Sequence, residues 1–142
     1  MIIKDGKKIK VGFTASAFDL LHAGHILMLK EAKTQCDYLV VGLQVDPTLD
    51  RPEKNKPIQS ITERYIQLDA VKYVDEIIVY STEDDLLQIL RSFSIDVRII
   101  GEDYKGKSFT GHDLGIHDIY YNSRKHDYSS SNLRTRIENT KS

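Results

Sequence analysis

The sequence predicts an α/β fold: one open sheet of five parallel strands with helices on both faces. Three observations predict it. Short apolar runs alternate with helix-period segments along the chain. The run Tyr38-Leu39-Val40-Val41-Gly42-Leu43 is nearly continuous in apolar residues, as in a strand buried on both sides of a parallel sheet. A strand, a helix and a strand also follow one another within roughly forty residues, the spacing of a βαβ unit.

Taken in order, Ile9-Lys10-Val11-Gly12-Phe13-Thr14 reads as the first strand. Residues 22–35 set Leu21, Ile26, Leu29 and Ala32 on one face, with Lys30, Glu31 and Lys33 outside, a core-facing helix. After strand Tyr38–Leu43 comes a polar stretch from Gln44 to Ser60 holding all three prolines with Lys54, Asn55 and Lys56. A loop of that length in a compact domain is functional or mobile. Ser60-Ile61-Thr62-Glu63 starts a second helix, with Ser60 or Ile61 near the cap and Arg64, Tyr65, Leu68 and Val71 along it. Lys72-Tyr73-Val74-Asp75-Glu76 leads into strand Ile77–Tyr80. Thr82-Glu83-Asp84-Asp85 caps a third helix to about Ser92, with Leu86, Leu87, Ile89, Leu90 and Phe93 inward. Asp96–Ile100 is the fourth strand and Ile116–Tyr121 the last. A helix starts at the serines 129–131, and residues after about Asn139 fray.

Composition narrows the function classes. A chain of 142 residues fits one domain, 1–142, and 40% apolar with 29% charged residues is ordinary for a globular protein. A formal net charge of −1 gives no global attraction to nucleic acid or to an anionic membrane, so any anion site is local. The lone Cys36 excludes an intramolecular disulfide, fits a reducing cytosol and reads as a packing residue. Met1–Lys10 has neither a signal-peptide pattern nor the length of apolar run a membrane span needs, so a cytoplasmic location is expected.

The chemistry starts at Phe18-Asp19-Leu20-Leu21-His22-Ala23-Gly24-His25. Two histidines three apart in the first turn of a helix share a face. Gly24 removes a side chain where a ligand would approach, and the first turn carries amide N–H groups and the positive end of the helix dipole. The pattern reads as a phosphate cradle with two imidazole donors, in the strand-to-helix crossover where open α/β sheets bind ligands. A metal pair would need a third ligand, and no Cys/His cluster nearby supplies one. Gly101, in the turn after the fourth strand, faces the same sheet edge; it lets backbone approach a flat base, with Asp103 an acceptor for an amine or hydroxyl. Arg124-Lys125-His126-Asp127-Tyr128-Ser129-Ser130-Ser131-Asn132-Leu133-Arg134 is a second anion site, with hydroxyl caps and helix amides bracketed by two arginines. His112, His117 and His126 have no spacing partner and read as surface or packing residues.

These motifs resemble, in order and across Ile9–Ile137, the nucleotidyltransferase superfamily, in particular its glycerol-3-phosphate cytidylyltransferase group. The F-D-x-x-H-x-G-H signature is present, although Ser16-Ala17 stand where that group has Gly-Thr or Gly-Cys. Lys54, Lys56 and Arg64 match its loop lysines and following arginine. Lys72–Glu76 is similar to its R-Y-V-D-E interface element, and 101–107 to its G-D-D-W-E-G-K stretch. The serine run is similar to its R-T-x-G-I-S-T-T motif through Arg124, Ser129 and Ser130, and equally to the I-S-S-T-x-x-R motif of the adenylyltransferases through Arg134.

The resemblance implies a Rossmann-like fold, a homodimer, and transfer of CMP from CTP to a small phosphorylated acceptor of glycerol-3-phosphate type, with pyrophosphate released. The acceptor phosphate is largely dianionic near neutral pH, its second pKa being about 6, so no general base is required. Catalysis is then positioning and charge neutralisation. His22, His25, Lys54, Lys56 and Arg124 take catalytic roles. Phe18, Asp19, Gly24, Arg64, Gly101, Asp103, Ser129, Ser130, Ser131 and Arg134 bind the nucleotide. Mg²⁺ is held mainly by the phosphates, and no protein metal site is expected. Two other readings stay open: an adenylyltransferase using ATP on a sugar phosphate or other phosphomonoester, and a nucleotide-binding module without transfer activity.

Overall fold

A computed structural model describes residues 2–115, 117–123 and 128–140, the side chains of residues 2–4 and 130 excepted. Ile116 and the Arg124–Asp127 part of the second anion motif thus lie outside the described residues.

The chain opens with an antiparallel hairpin, β1 (Ile2–Lys4) and β2 (Lys7–Ile9). Its turn is Asp5-Gly6, both at positive φ (52° and 77°), a pairing that matches the right-handed twist of two-residue hairpins. The first parallel strand accordingly begins later than the apolar pattern suggests, as β3 (Val11–Ser16). There follow α1 (Ala23–Lys33), β4 (Tyr38–Gln44), α2 (Ile61–Asp69), β5 (Glu76–Tyr80), α3 (Glu83–Ser92), β6 (Val97–Gly101), β7 (Asp118–Asn122) and α4 (Ser130–Asn139). The last strand lies one to two residues beyond its expected place.

The main sheet has five strands in the order β5-β4-β3-β6-β7, every pair parallel, as predicted. The chain runs outward from β3 through β4 to β5, then returns to place β6 on β3's other side. The direction of progression reverses between β3 and β6, and there a crevice opens at the carboxyl ends of the strands.

Strand side chains alternate between faces. Leu39, Val41 and Leu43 of β4 and Val97 and Ile99 of β6 join Leu29 and Ala32 of α1 and Leu68 of α2. Val40 of β4 joins Val11, Phe13 and Tyr80 against Leu86, Ile89 and Leu90 of α3. Two glycines allow this close layering. A Cβ on Gly12 would stand 2.7 Å from Cys36 Sγ, which fixes Cys36 as a packing residue, and one on Gly42 would stand 2.9 Å from Phe13 Cζ. Among the described residues no helix is long and apolar enough to cross a membrane.

Candidate active site

The loop from β3 to α1 is held in a conformation that its residues disfavour. Phe18 and Leu20 both take positive φ (50° and 52°), costing about 1–2 kcal/mol each for side-chain-bearing residues. Three restraints offset this. The Phe18 ring is fully buried. Asp19 accepts the backbone N–H of Ile58 (2.9 Å) and of Gln59 (2.9 Å) on its two carboxylate oxygens. Leu20 N–H donates to Gln59 Oε1 at 2.8 Å. Asp19 also accepts from Arg134 Nη2 at 2.8 Å, which ties this loop to α4.

The two histidines cap their own helix. His22 is the N-cap of α1, and its Nδ1 accepts Gly24 N–H at 3.0 Å. His25 Nδ1 in return accepts His22 N–H at 3.2 Å, closing a reciprocal capping box. The expected cradle of open helix amides is narrowed here, because the ring nitrogens already engage the amides of His22 and Gly24. What remains for a ligand at His25 is the other nitrogen. With Nδ1 accepting, the neutral ring carries its proton on Nε2, so this imidazole presents an N–H donor. The rings stack at 3.9 Å with 28° between planes, and Phe18 packs 5.4 Å from His25.

Burial first, and then the charge of His22, lowers the His25 pKa to about 4, with Asp19 opposing. His25 is therefore a neutral donor at pH 7 until an anion arrives. Its folded pKa lies below the unfolded value near 6.5, so the unfolded chain binds the proton first and stability falls as pH drops from about 6.5 towards 4. Urea unfolding at pH 7.5 and pH 5 is expected to show a loss on the order of 1–2 kcal/mol that shrinks in His25→Gln, the remainder coming from His117, whose pKa burial also lowers.

A cleft of about 630 Å³ runs along the carboxyl edge of the sheet, lined by Phe18, Asp19, His25, Lys54, Gly101, Ser129, Ser131 and Arg134 among others. A smaller one of about 320 Å³ adjoins it, lined by His22, Gly24, His25, Gly101, Asp103 and Ser129. The two predicted anion sites thus meet in one place. Ser129 is the N-cap of α4, its Oγ accepting Asn132 N–H at 3.0 Å while its O–H stays available as a donor. A Cβ on Gly101 would enter open space, so the β6 end presents bare backbone to the cleft.

Other predicted residues stand elsewhere. Arg64 is buried, at 2% exposure, below the 44–60 loop. Its guanidinium donates to the carbonyls of Gln59 (3.2 Å), Ala17 (3.0 Å), Gln44 (2.6 Å) and Val45 (2.5 Å). Burial lowers its pKa, opposed by Asp19 and Asp46. Arg64 clamps the loops that shape the cleft, and its fork faces protein carbonyls rather than ligand space. Lys54 lines the cleft, whereas Lys56 is exposed outside the lining. Lys72 is exposed with its Nζ 5.3 Å from the Tyr73 ring, and Asp75 accepts Leu39 N–H at 2.8 Å and pairs with Lys33. His112 and His117 cap backbone carbonyls, of Phe109 (3.0 Å) and Leu90 (3.1 Å), as packing residues do.

Sequence reasoning missed Gln44, Arg98 and Asn122, all buried and all lining the cleft. The signal was a polar side chain inside or ending an apolar strand, which periodicity treats as noise.

A family model described as cytidylyltransferase-like matches residues 13–136. The chain belongs to that family of nucleotidyltransferases. Within it, bifunctional protein HldE of Caulobacter sp. (strain K31) is 38% identical over 107 residues, 75% of this chain and 22% of that protein. HldE of Helicobacter hepaticus is 30% identical over 141 residues, 99% of this chain and 29% of that protein. This cytidylyltransferase-like chain thus spans 22% to 29% of the length of these curated relatives. The crystal structure of a lipopolysaccharide core biosynthesis protein from Thermoplasma volcanium superposes with a TM-score of 0.70 at 28% identity, over 84% of this chain and 100% of that one. Pantothenate synthetase from Thermus thermophilus shares the fold alone, with a TM-score of 0.64 at 15% identity over 91% of this chain and 64% of that one.

Proposed function

We propose that the chain transfers an adenylyl group from ATP to the phosphate of a sugar phosphate, releasing pyrophosphate. The observation that carries the reading is the place of Arg134, the arginine of the adenylyltransferase-type serine motif, inside the cleft beside Ser129 and Ser131 and opposite His25. The likeness to HldE and to a lipopolysaccharide core biosynthesis protein favours a sugar phosphate as acceptor. It therefore takes precedence over CMP transfer to a glycerol-3-phosphate-like acceptor, which the family name keeps as the second reading.

In this reading the acceptor phosphate oxygen attacks the α-phosphorus, and the bond to the bridging oxygen of pyrophosphate breaks. His22 and His25 donate from Nε2 to the α-phosphate and bridging oxygens. The arriving charge raises the His25 pKa, so a neutral donor gains cationic character as negative charge develops. Lys54, with Lys56 brought in by the loop, neutralises the departing phosphates, and Ser129, Ser130 and Ser131 donate to the triphosphate. Arg124, outside the described residues, is assigned to the triphosphate by its place in the sequence motif. Gly101 and Asp103 border the base and ribose. Asp19 and Arg64 position these groups from behind. Mg²⁺ would take its ligands from phosphate oxygens and water, since Asp19 is engaged by two amides and Arg134; it would supply charge neutralisation at the leaving group. The reaction belongs in the cytoplasm, where the triphosphate is. A homodimer would use the Lys72–Glu76 segment.

Calorimetric titration with ATP and then CTP, each with Mg²⁺, tests the reading. ATP is expected to bind at least tenfold more tightly. Tighter CTP binding would move the assignment to the cytidylyl reading, and no binding of either at millimolar concentration would remove the transferase reading.

A further inference from the structure

The half of the cleft on the α3 side of the sheet has no role in holding the nucleotide as proposed, yet its chemistry is one-sided. Arg98 occupies a strand position between Val97 and Ile99 and turns to the face opposite theirs. It is 4% exposed and lines the cleft. One Nη donates to Thr110 O, the guanidinium stacks 5.1 Å over the Phe109 ring, and the Phe109–Gly111 turn closes against it. Among the described residues no carboxylate pairs with Arg98 within 4 Å. Glu83, whose charge Arg98 feels, is held by Thr110 Oγ1 at 2.6 Å and lies 3.8 Å from Arg51. Burial lowers the Arg98 pKa to about 10, still charged at neutral pH.

A second, independent observation stands beside it. Gln44 ends β4 on the same face, is 7% exposed and lines the cleft, and among the described residues its Nε2 has no hydrogen-bond partner. A buried cation with no paired acid and a buried amide N–H₂ with no acceptor are each costly. Arg98 and Gln44 Nε2 are thus two donors in this lobe that no carboxylate meets among the described residues. Such a lobe is complementary to an oxygen-rich anion.

We propose that Arg98 and Gln44 form an acceptor-specificity subsite that binds an anionic oxygen group, a carboxylate or a second phosphate, carried by the acceptor in addition to its reacting phosphate. The inference rests on the nucleotidyltransferase reading for its orientation, since that reading places the nucleotide against α1 and α4 and leaves this lobe to the acceptor. It selects among phosphorylated acceptors: those with only hydroxyl groups away from the phosphate leave Arg98 buried without a counter-charge.

The test compares ligand pairs that differ only in a CH₂OH replaced by a carboxylate, namely glucose 1-phosphate with glucuronic acid 1-phosphate and glycerol 3-phosphate with 3-phosphoglycerate. Calorimetric affinities are read for the wild type, Arg98→Leu and Gln44→Leu, with thermal unfolding confirming the fold. The same ligands carrying a second phosphate, glucose 1,6-bisphosphate and glycerol 1,3-bisphosphate, form the phosphate arm. In the wild type at least one partner carrying the added anionic group is expected to bind at least tenfold more tightly than its hydroxyl counterpart. Arg98→Leu should bring that ratio below twofold, and Gln44→Leu should lower it in part, with Arg98→Lys intermediate. Equal affinity within every pair, a preference that survives Arg98→Leu, or no binding of any of the six would overturn the proposal. ATP titration on the same samples keeps the two readings apart. ATP binding without an anion preference defeats this subsite alone, whereas an Arg98-dependent preference without nucleotide binding defeats the transferase reading alone.

Discussion

Replacing His25 by alanine is expected to lower kcat for nucleotidyl transfer by at least about tenfold, roughly 1.4 kcal/mol of transition-state stabilisation. Pyrophosphate release under saturating nucleotide and acceptor is the measurement. The size follows from the state of the ring. His25 is neutral before substrate binds because burial and His22 hold its pKa near 4, so its interaction with phosphate strengthens as charge accumulates. That differential is what accelerates a reaction, whereas equal binding of ground and transition states would not. The alanine variant also removes the acceptor of His22 N–H, a cap worth about 1 kcal/mol of stability. His25→Gln separates the two effects. Its amide oxygen can accept His22 N–H as in an ordinary capping box, so thermal stability should be retained while the rate still falls, because an amide cannot gain a proton. A wild-type rate in both variants would remove His25 from the chemistry.

The largest expected stability effect is at Arg64. Arg64→Leu should destabilise the fold by about 3 kcal/mol or more, read from urea unfolding, because hydrogen bonds from a charged group contribute roughly 1.5–3 kcal/mol each and several are lost together. The carbonyls of Ala17, Gln44 and Val45 would be left without their donor at the junction of the β3–α1 loop and the end of β4. Arg64→Lys keeps the charge but not the fork, so it should fall between wild type and leucine. Nucleotide affinity is expected to fall with stability, as the clamp loosens the walls of the cleft. A leucine variant with wild-type stability and weakened nucleotide binding would instead make Arg64 a ligand contact.

Most of the fold is legible in the residues because its signals are local. The unbroken apolar run of β4 announces a strand buried on both sides, and Ser60 and Thr82 mark helix starts that the structure realises as capping boxes. The hairpin at the start was not read from the sequence: Asp5-Gly6 is a turn signal, but three-residue strands rich in lysine carry too little apolar pattern to stand out. Strand ends shift because parallel register is set by partners distant in the chain. Val11, for instance, starts its strand where Asp96 accepts its N–H at 2.8 Å, 85 residues away.

For the site the division is sharper. From the sequence alone came the ordered motifs, the family and the convergence of His22, His25, Gly101 and the serine helix on one sheet edge. Each is a short segment whose residue types and spacing suffice, once parallel strands put their carboxyl ends together. Only the tertiary structure decided what each charged group faces. Arg64 and Asp19 have the residue types of ligand contacts, yet long-range backbone partners take their hydrogen bonds. Arg98 reads as an interruption of an apolar strand and Gln44 as the start of a polar loop, yet both turn donors into the cleft. Residue type states what a group can bond to; which partner it meets depends on chain segments brought together across tens of residues, and that is settled only by packing.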